Sequence, residues 1–108
     1  MVKYLSIFTY SPDGAKGMLK EKATAREAAA RKAFESAGGK LEAFYWAGSG
    51  EVTGVTISDF PDAATGAALT LKLNSSGAFS EFNAIQLISS SDVDRALEKS
   101  ISYRPPGA

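Results

Sequence analysis

The sequence contains no cysteine and no histidine. Without cysteine the chain can form no disulfide, no thiolate nucleophile and no cysteine-ligated zinc or iron–sulfur site. Without histidine it lacks the commonest general base, the commonest transition-metal ligand and the serine–histidine catalytic arrangement. Any catalysis would have to use Asp, Glu, Lys, Tyr or Arg side chains or a bound cofactor. We expect no metal and no cofactor.

The chain also lacks an excess of charge of either sign and a long apolar run. Lys+Arg and Asp+Glu are both 12, so nothing in the charge favours nucleic acid or an anionic membrane, and little repulsion opposes self-association. No stretch approaches the roughly 18 apolar residues of a membrane-spanning helix, and the N-terminus reads as a strand and not as a signal peptide. We therefore expect a cytoplasmic protein. The 108 residues predict a single domain over residues 1–108.

The stretch Lys40–Asp59 predicts a β-hairpin, with Gly48-Ser49-Gly50 as its turn. Its glycines are not a dinucleotide-binding fingerprint, because the segment joins two strands and does not open a helix. In the first strand, from Lys40 to Ala47, alternation predicts two faces. Leu41, Ala43 and Tyr45 would share one face, and Glu42, Phe44 and Trp46 the other.

The first and last strands are predicted at Val2–Tyr10 and Phe79–Ile88. In the first of them both faces carry large apolar groups, which predicts that both sides are covered. One face would hold Leu5, Ile7 and Thr9, and the other Tyr4, Phe8 and Tyr10.

Helices are predicted between these strands. Ser11 is a candidate N-cap for a short helix to about Lys20, and Thr24 with Glu27 forms a capping box for the main helix, Ala25 to about Ala37. Residues 63–73 predict a second helix after Asp62 that is apolar almost all round. A last helix, capped by Ser91 or Ser90, would run from Asp92 to about Ser100. Pro105 and Pro106 predict an extended tail.

The element order βαββαβ predicts an α+β, ferredoxin-like fold with an antiparallel four-stranded sheet in the order 4-1-3-2. The helices would cover one face of the sheet, followed by an extra C-terminal helix and the tail. The other face would be bare and would carry aromatic residues. Because large exposed apolar patches usually mark an interface, we expect two sheets to pack face to face in a dimer.

Four segments resemble the GYD-domain family, a group of small bacterial proteins of uncharacterised function. They are TYSPDGAKGMLKE, SAGGKLEAFYWA, SDFPDAATGAALTLKLNSSGA and KSISYRPPGA. The family is similar to the dimeric α/β-barrel group, whose ferredoxin-like subunits pair through their sheets. The resemblance therefore implies the same fold and mode of pairing.

The motif that gives the family its name is degenerate in this chain. It would fall at Gly50-Glu51-Val52-Thr53, so that Val52 stands where Tyr is expected and Thr53 where Asp is expected. Any function of that Tyr-Asp pair in the family does not carry over to these positions.

Several residues are candidates for a pocket wall or a subunit contact. Aromatic side chains dominate both kinds of surface, and an extended tail could place Tyr103 and Arg104 on a partner subunit. Glu42, sharing a face with Phe44 and Trp46, is a better candidate for a buried acid–base group than Lys16, but the favoured interpretation of Glu42 is a charge near the edge of the sheet. The full set is Tyr4, Tyr10, Glu42, Phe44, Tyr45, Trp46, Tyr103 and Arg104.

Two functions agree with this pattern. The first, favoured by the missing histidine, is a homo-oligomeric module that binds a small apolar ligand between sheet and helices and performs no chemistry. The second is a cofactor-free enzyme on small organic molecules that uses Glu42 with Tyr10 or Tyr45. A pocket enclosing Glu42 beside a phenol would favour the enzyme. We expect no partner other than another copy of the chain and the small ligand.

Overall fold

The computed structural model describes residues 1–108 and contains four strands and four helices. Every predicted strand and helix is present, and most of the boundaries differ from the predicted ones by one to three residues. In chain order the elements are β1 (Val2–Tyr10), α1 (Pro12–Glu21), α2 (Ala23–Ser36), β2 (Lys40–Trp46), β3 (Gly54–Phe60), α3 (Ala63–Ser75), β4 (Phe79–Leu87) and α4 (Ser90–Leu97).

The strands form one antiparallel sheet in the order β2-β3-β1-β4, which is the predicted order read from the other edge. Leu5 in β1 lies opposite Ile57 in β3 on one side and Ile85 in β4 on the other. The α+β, ferredoxin-like prediction is confirmed. The two outer edges belong to β2 and β4, while the first and third strands are paired on both sides.

A bulge in β2 overturns one prediction about the faces of the hairpin. Leu41 lies opposite Ser58 and Ala43 opposite Ile57, so Glu42 is an extra residue without a partner across the ladder. As a result Leu41 turns to the same side as Phe44, where only 2% of it is exposed. Strict alternation had placed Leu41 with Ala43 and Tyr45, and Glu42 with Phe44 and Trp46.

The core lies between the sheet and α2. Its centre consists of Phe34 from α2, Leu41 from β2 and Phe60 from β3, which are 2–4% exposed. Ala30 and Ala37 of the same helix pack against this cluster. The 3.6-residue period of small and large apolar residues thus fixes how α2 sits on the sheet.

Two of the predicted helix starts are confirmed. The Ser11 hydroxyl accepts the backbone N–H of Gly14 at 3.1 Å, with Pro12 at the first helical position of α1. The Asp62 carboxylate accepts the backbone N–H of Thr65 at 2.8 Å at the start of α3.

The other two starts differ from the predictions. Thr24 lies inside α2 and does not cap it; the N-cap is Lys22, which makes no side-chain capping bond and has φ 77° and ψ 162°. The Lys22 backbone closes α1 through its N–H to Met18 O, so the two helices share this residue and leave no room for a separate capping box. The cap of α4 is Ser89, in a capping box with Asp92.

The helix α3 exposes much of its apolar surface. Gly66 is its only buried residue, and Leu71 is 70% exposed. The tail that follows α4 is also exposed, with Ile101 at 81% and Tyr103 at 66%. No helix is long and apolar enough to cross a membrane.

Candidate ligand-binding site

Two cavities lie between the sheet and the helices. The larger, about 350 Å³, is here called the α3 cavity, and 9 of its 12 lining residues are hydrophobic. The lining includes Tyr4 and Ser6 of β1, Phe82 of β4, and Gly66 and Leu69 of α3. Gly66 keeps this space open, since a Cβ on it would lie 3.1 Å from the Tyr4 ring.

The second cavity, about 220 Å³, is here called the α2 cavity, and 11 of its 14 lining residues are hydrophobic. Its floor is a cluster of aromatic rings on the strands, and its roof is the alanine face of α2. Phe8 is the centre of the floor: its ring centroid lies 5.7 Å from that of Phe44 and 5.8 Å from that of Phe79. Phe34 and Phe82 line both cavities and form the wall between them.

Hydroxyl groups on the strands face this apolar interior. Thr56 and Ser58 of β3 are 3% and 0% exposed, and neither side-chain oxygen has a hydrogen-bond partner. Thr56 lines the α2 cavity. A buried hydroxyl without a partner costs about 1–3 kcal/mol, so a molecule that accepts from or donates to Thr56 would recover that cost.

One charged side chain, Arg26 of α2, lines the α2 cavity. Its Nη1 donates to Glu21 Oε2 at 3.1 Å, and its side chain is 33% exposed. The Tyr10 side chain and then Glu21 raise the pKa of Arg26, and partial burial opposes them. Since an arginine is charged at every physiological pH, the wall of the cavity carries a fixed positive charge.

Arg26 stands at the mouth of this cavity. It also lines an outer groove of about 330 Å³ between the α1–α2 corner and the turn before β4. Tyr10, Ser76 and Ala78 belong to both spaces as well. These four residues therefore separate the α2 cavity from the surface and define the path into it.

The structure brings half of the predicted site residues together. Tyr4 lines the α3 cavity, and Tyr10 and Phe44 line the α2 cavity. Trp46 lies on the same side of the sheet, with its ring centroid 4.9 Å from that of Phe44.

The other half lies elsewhere. Tyr45 is 69% exposed and points to the opposite face of the sheet, and Tyr103 and Arg104 lie in the exposed tail. Glu42 is exposed at the bulge, where it forms an ion pair with Lys3, and it lines neither cavity. The alternative of Glu42 as a buried acid–base group beside aromatic rings is therefore wrong, because the bulge turns it out of the ladder. Its exposure agrees with the favoured interpretation of Glu42 as a charge near the edge of the sheet.

Lys3 joins two carboxylates across the sheet. Its Nζ contacts Glu42 and lies 3.1 Å from Asp59 Oδ1. Hydrogen bonds to Glu42 and then to Asp59 raise the pKa of Lys3. No three acidic residues gather in a way that could hold a metal ion.

The helix-free face of the sheet is apolar but mainly aliphatic, which corrects the expectation of an aromatic face. Side chains alternate along a strand, so this face carries the residues between those that line the cavities. Ile85 is 48% exposed there, and Tyr45 is its aromatic member. The apolar members are Leu5, Ile7, Ala43, Tyr45, Val55, Ile57, Ile85 and Leu87.

Sequence reasoning missed Arg26, Thr56 and the wall residues Phe34 and Phe82 as parts of the site. One signal was present for Thr56: with Ser58 it places hydroxyls at every second position of a strand whose other residues, apart from Asp59, are apolar. No local signal marked Arg26, because its position at the mouth depends on how α2 crosses the sheet.

Comparison with known proteins gives a family match and a similar solved structure. The family model of the GYD domain matches residues 4–97. Among solved structures the chain is similar to an uncharacterized NIPSNAP domain protein from Burkholderia xenovorans. The two share 12% sequence identity over 84% of this chain and 96% of that chain, with a TM-score of 0.47. No curated protein matches the sequence.

Proposed function

The chain belongs to the GYD-domain family, and we propose that it is a homo-oligomeric module that binds a small apolar ligand between its sheet and its helices. The observation that carries this proposal is the α2 cavity, with its aromatic floor and its buried, unpartnered Thr56 hydroxyl. Packed protein interiors seldom leave such voids, and an apolar cavity of about 150 Å³ is already large enough for benzene.

The position of Glu42 favours binding over catalysis. An acid–base enzyme on this fold would need a carboxylate inside a cavity beside a phenol, and Glu42 is instead exposed and paired with Lys3. The tyrosines that do line the cavities, Tyr4 and Tyr10, have no carboxylate among the residues lining the same cavity. The cavities therefore supply shape and hydrogen bonding and offer no general base.

The helix-free face supports self-association. Leu5, Ile57 and Ile85 form a continuous apolar row across three strands, and no helix of this chain covers it. Covering such a row removes apolar area from water at about 25 cal/mol per Å². A second copy offering the same face would do this symmetrically, as in a twofold dimer.

Ligand binding is tested with a neutral apolar probe, toluene, followed by the amide NMR shifts of a uniformly labelled sample. We expect saturable shifts at Thr56, Phe82 and Ala33, which lie around the α2 cavity. Replacing Ala33 by Met should fill the cavity and abolish these shifts. The matched control is Ala28→Met, the same change at an exposed position of the same helix. Absence of saturable shifts in the unmodified protein would overturn the binding proposal.

Self-association is tested separately by static light scattering at micromolar concentration. We expect a mass of at least twice that of the 11.3 kDa chain. A strict monomer would remove the oligomer from the proposal and leave the ligand site intact.

A further inference from the structure

The α2 cavity has two different ends. Thr56 lies opposite Ser6 in the β1–β3 ladder, and Tyr10 follows Ser6 by four positions along β1. Since a strand rises about 3.4 Å per residue, the Thr56 end and the Tyr10 end are about 13 Å apart along the sheet. Phe8, between them, contributes only apolar surface.

The mouth end holds a cation, Arg26, which is paired with Glu21. The contact with Glu21 uses Nη1 of Arg26, and an arginine fork has further N–H donors that match a carboxylate. Tyr10 lies at the same end of the cavity and carries a phenolic hydroxyl that can donate to an anion. Glu21 and Asp13, which line the outer groove, oppose an anion at this position.

The inner end is uncharged. Thr56 is 3% exposed, and its Oγ1 has no partner although it can both donate and accept. Between the two ends the walls are aromatic rings and alanine methyl groups, which match an apolar body. The chemistry of each part of the cavity therefore indicates the chemistry of the part of a ligand that would contact it.

We propose that the α2 cavity takes a compact apolar carboxylic acid with a hydroxyl at its far end. The carboxylate binds Arg26 and Tyr10 at the mouth, the apolar body lies over Phe8, and the hydroxyl meets Thr56. This inference rests on the proposed function, because it names the class of ligand for the same site. The ligand enters from the outer groove, past the turn that holds Ser76 and Ala78.

The test uses four matched compounds and calorimetric titration of the full chain. They are 3-(4-hydroxyphenyl)propionate, 3-phenylpropionate and the two corresponding propanols, in which a neutral hydroxyl replaces the carboxylate. We expect each acid to bind about tenfold more tightly than its alcohol, since hydrogen bonds to a charged group exceed neutral ones by about 1.4 kcal/mol. We also expect each phenol to bind more tightly than the compound without the ring hydroxyl.

Three variants assign these preferences to residues. Arg26→Gln should weaken binding of the acids far more than that of the alcohols and so abolish the preference for acids, whereas Glu21→Gln should strengthen binding of the acids alone. Thr56→Val, which keeps the side-chain shape, should abolish the preference for the phenols. Thermal unfolding of each variant shows whether it folds. If Arg26→Gln does not fold, Glu21→Gln still tests whether the mouth of the cavity binds a carboxylate.

The outcomes separate this inference from the proposed function. If acids and alcohols bind equally and Glu21→Gln changes neither, the anionic ligand class is wrong while the apolar site stands. If the phenols gain nothing in the unmodified protein, the assignment of Thr56 is wrong. If none of the compounds nor toluene binds, both this inference and the binding function fail.

Discussion

The backbone N–H of Tyr10 donates to the Thr53 hydroxyl at 2.9 Å. Thr53 in turn donates its own N–H to Phe8 O at 2.8 Å, so the loop before β3 is tied to the end of β1. These contacts hold the end of β1, and with it Tyr10, at the mouth of the α2 cavity.

Replacing Thr53 by Val should lower the free energy of unfolding by about 1 kcal/mol, because the Tyr10 N–H loses its acceptor while the side-chain shape is kept. Urea denaturation measures the change. Thr53→Ser, which keeps the hydroxyl, is the control and should stay close to the unmodified protein. Equal stability of the Val and Ser variants would show that the contact contributes nothing.

Replacing Lys22 by Gly should raise the stability by about 1 kcal/mol. The φ of 77° and ψ of 162° at Lys22 lie in a region that is nearly restricted to glycine. The control is Lys20→Gly, inside α1, where glycine should cost about 1 kcal/mol of helix propensity. We expect the melting temperature to rise for Lys22→Gly and to fall for Lys20→Gly. A loss of stability in both variants would contradict strain at Lys22.

The N-cap of α3 makes part of the stability depend on pH. The hydroxyl and the backbone N–H of Thr65 donate to Asp62 and lower the pKa of its carboxyl below the ordinary 3.8. Because this pKa is lower in the folded than in the unfolded state, the ionised Asp62 adds stability that is fully present above about pH 4. This stability is lost as the pH falls through the folded-state pKa.

The variant Asp62→Asn keeps a capping side chain and removes this titration. We expect the difference in melting temperature between the unmodified protein and this variant to shrink between about pH 5 and about pH 2. Asp62→Ala, which loses the cap at every pH, should be less stable than Asp62→Asn in the neutral range. A difference that stays constant through acid would rule out Asp62 as the titrating cap.

Replacing Ile85 by Lys should dissociate the proposed oligomer. Ile85 is 48% exposed on the helix-free face, so the change costs the isolated chain little but places a charge inside a sheet-to-sheet contact. Leu71→Lys is the matched control, since Leu71 is 70% exposed on α3. Light scattering should give a monomer for the first variant only. If both variants keep the mass of the unmodified protein, the helix-free face is not the interface.

Local sequence signals predicted the elements of this fold well, and they failed where two elements compete for one residue. The Ser11 and Asp62 caps were read correctly, since each depends only on its own helix start. The capping box at Thr24 did not form because the preceding helix ends at Glu21 and leaves Lys22 to serve both helices.

In the candidate site, too, local sequence signals predicted some residues correctly and failed for others. Tyr4, Tyr10 and Phe44, which line the two cavities, were named as candidates because of the density of aromatic residues in β1 and β2, since large rings must be buried somewhere. Glu42 was placed wrongly because a bulge shifts a side chain to the other face and leaves no mark in the alternation of residues. Arg26 was missed because its position at the cavity mouth depends on how α2 packs against the ends of the strands.

By itself, the sequence determined the class of fold, the order of its strands and the exclusion of histidine and cysteine chemistry. These follow from composition, from short-range periodicity and from the topological rules for connecting strands. Only the tertiary structure decided that Glu42 leaves the interior, that Thr56 is buried without a partner and that Arg26 stands at a cavity mouth. Each of these depends on contacts between residues far apart in the chain, which local patterns do not encode.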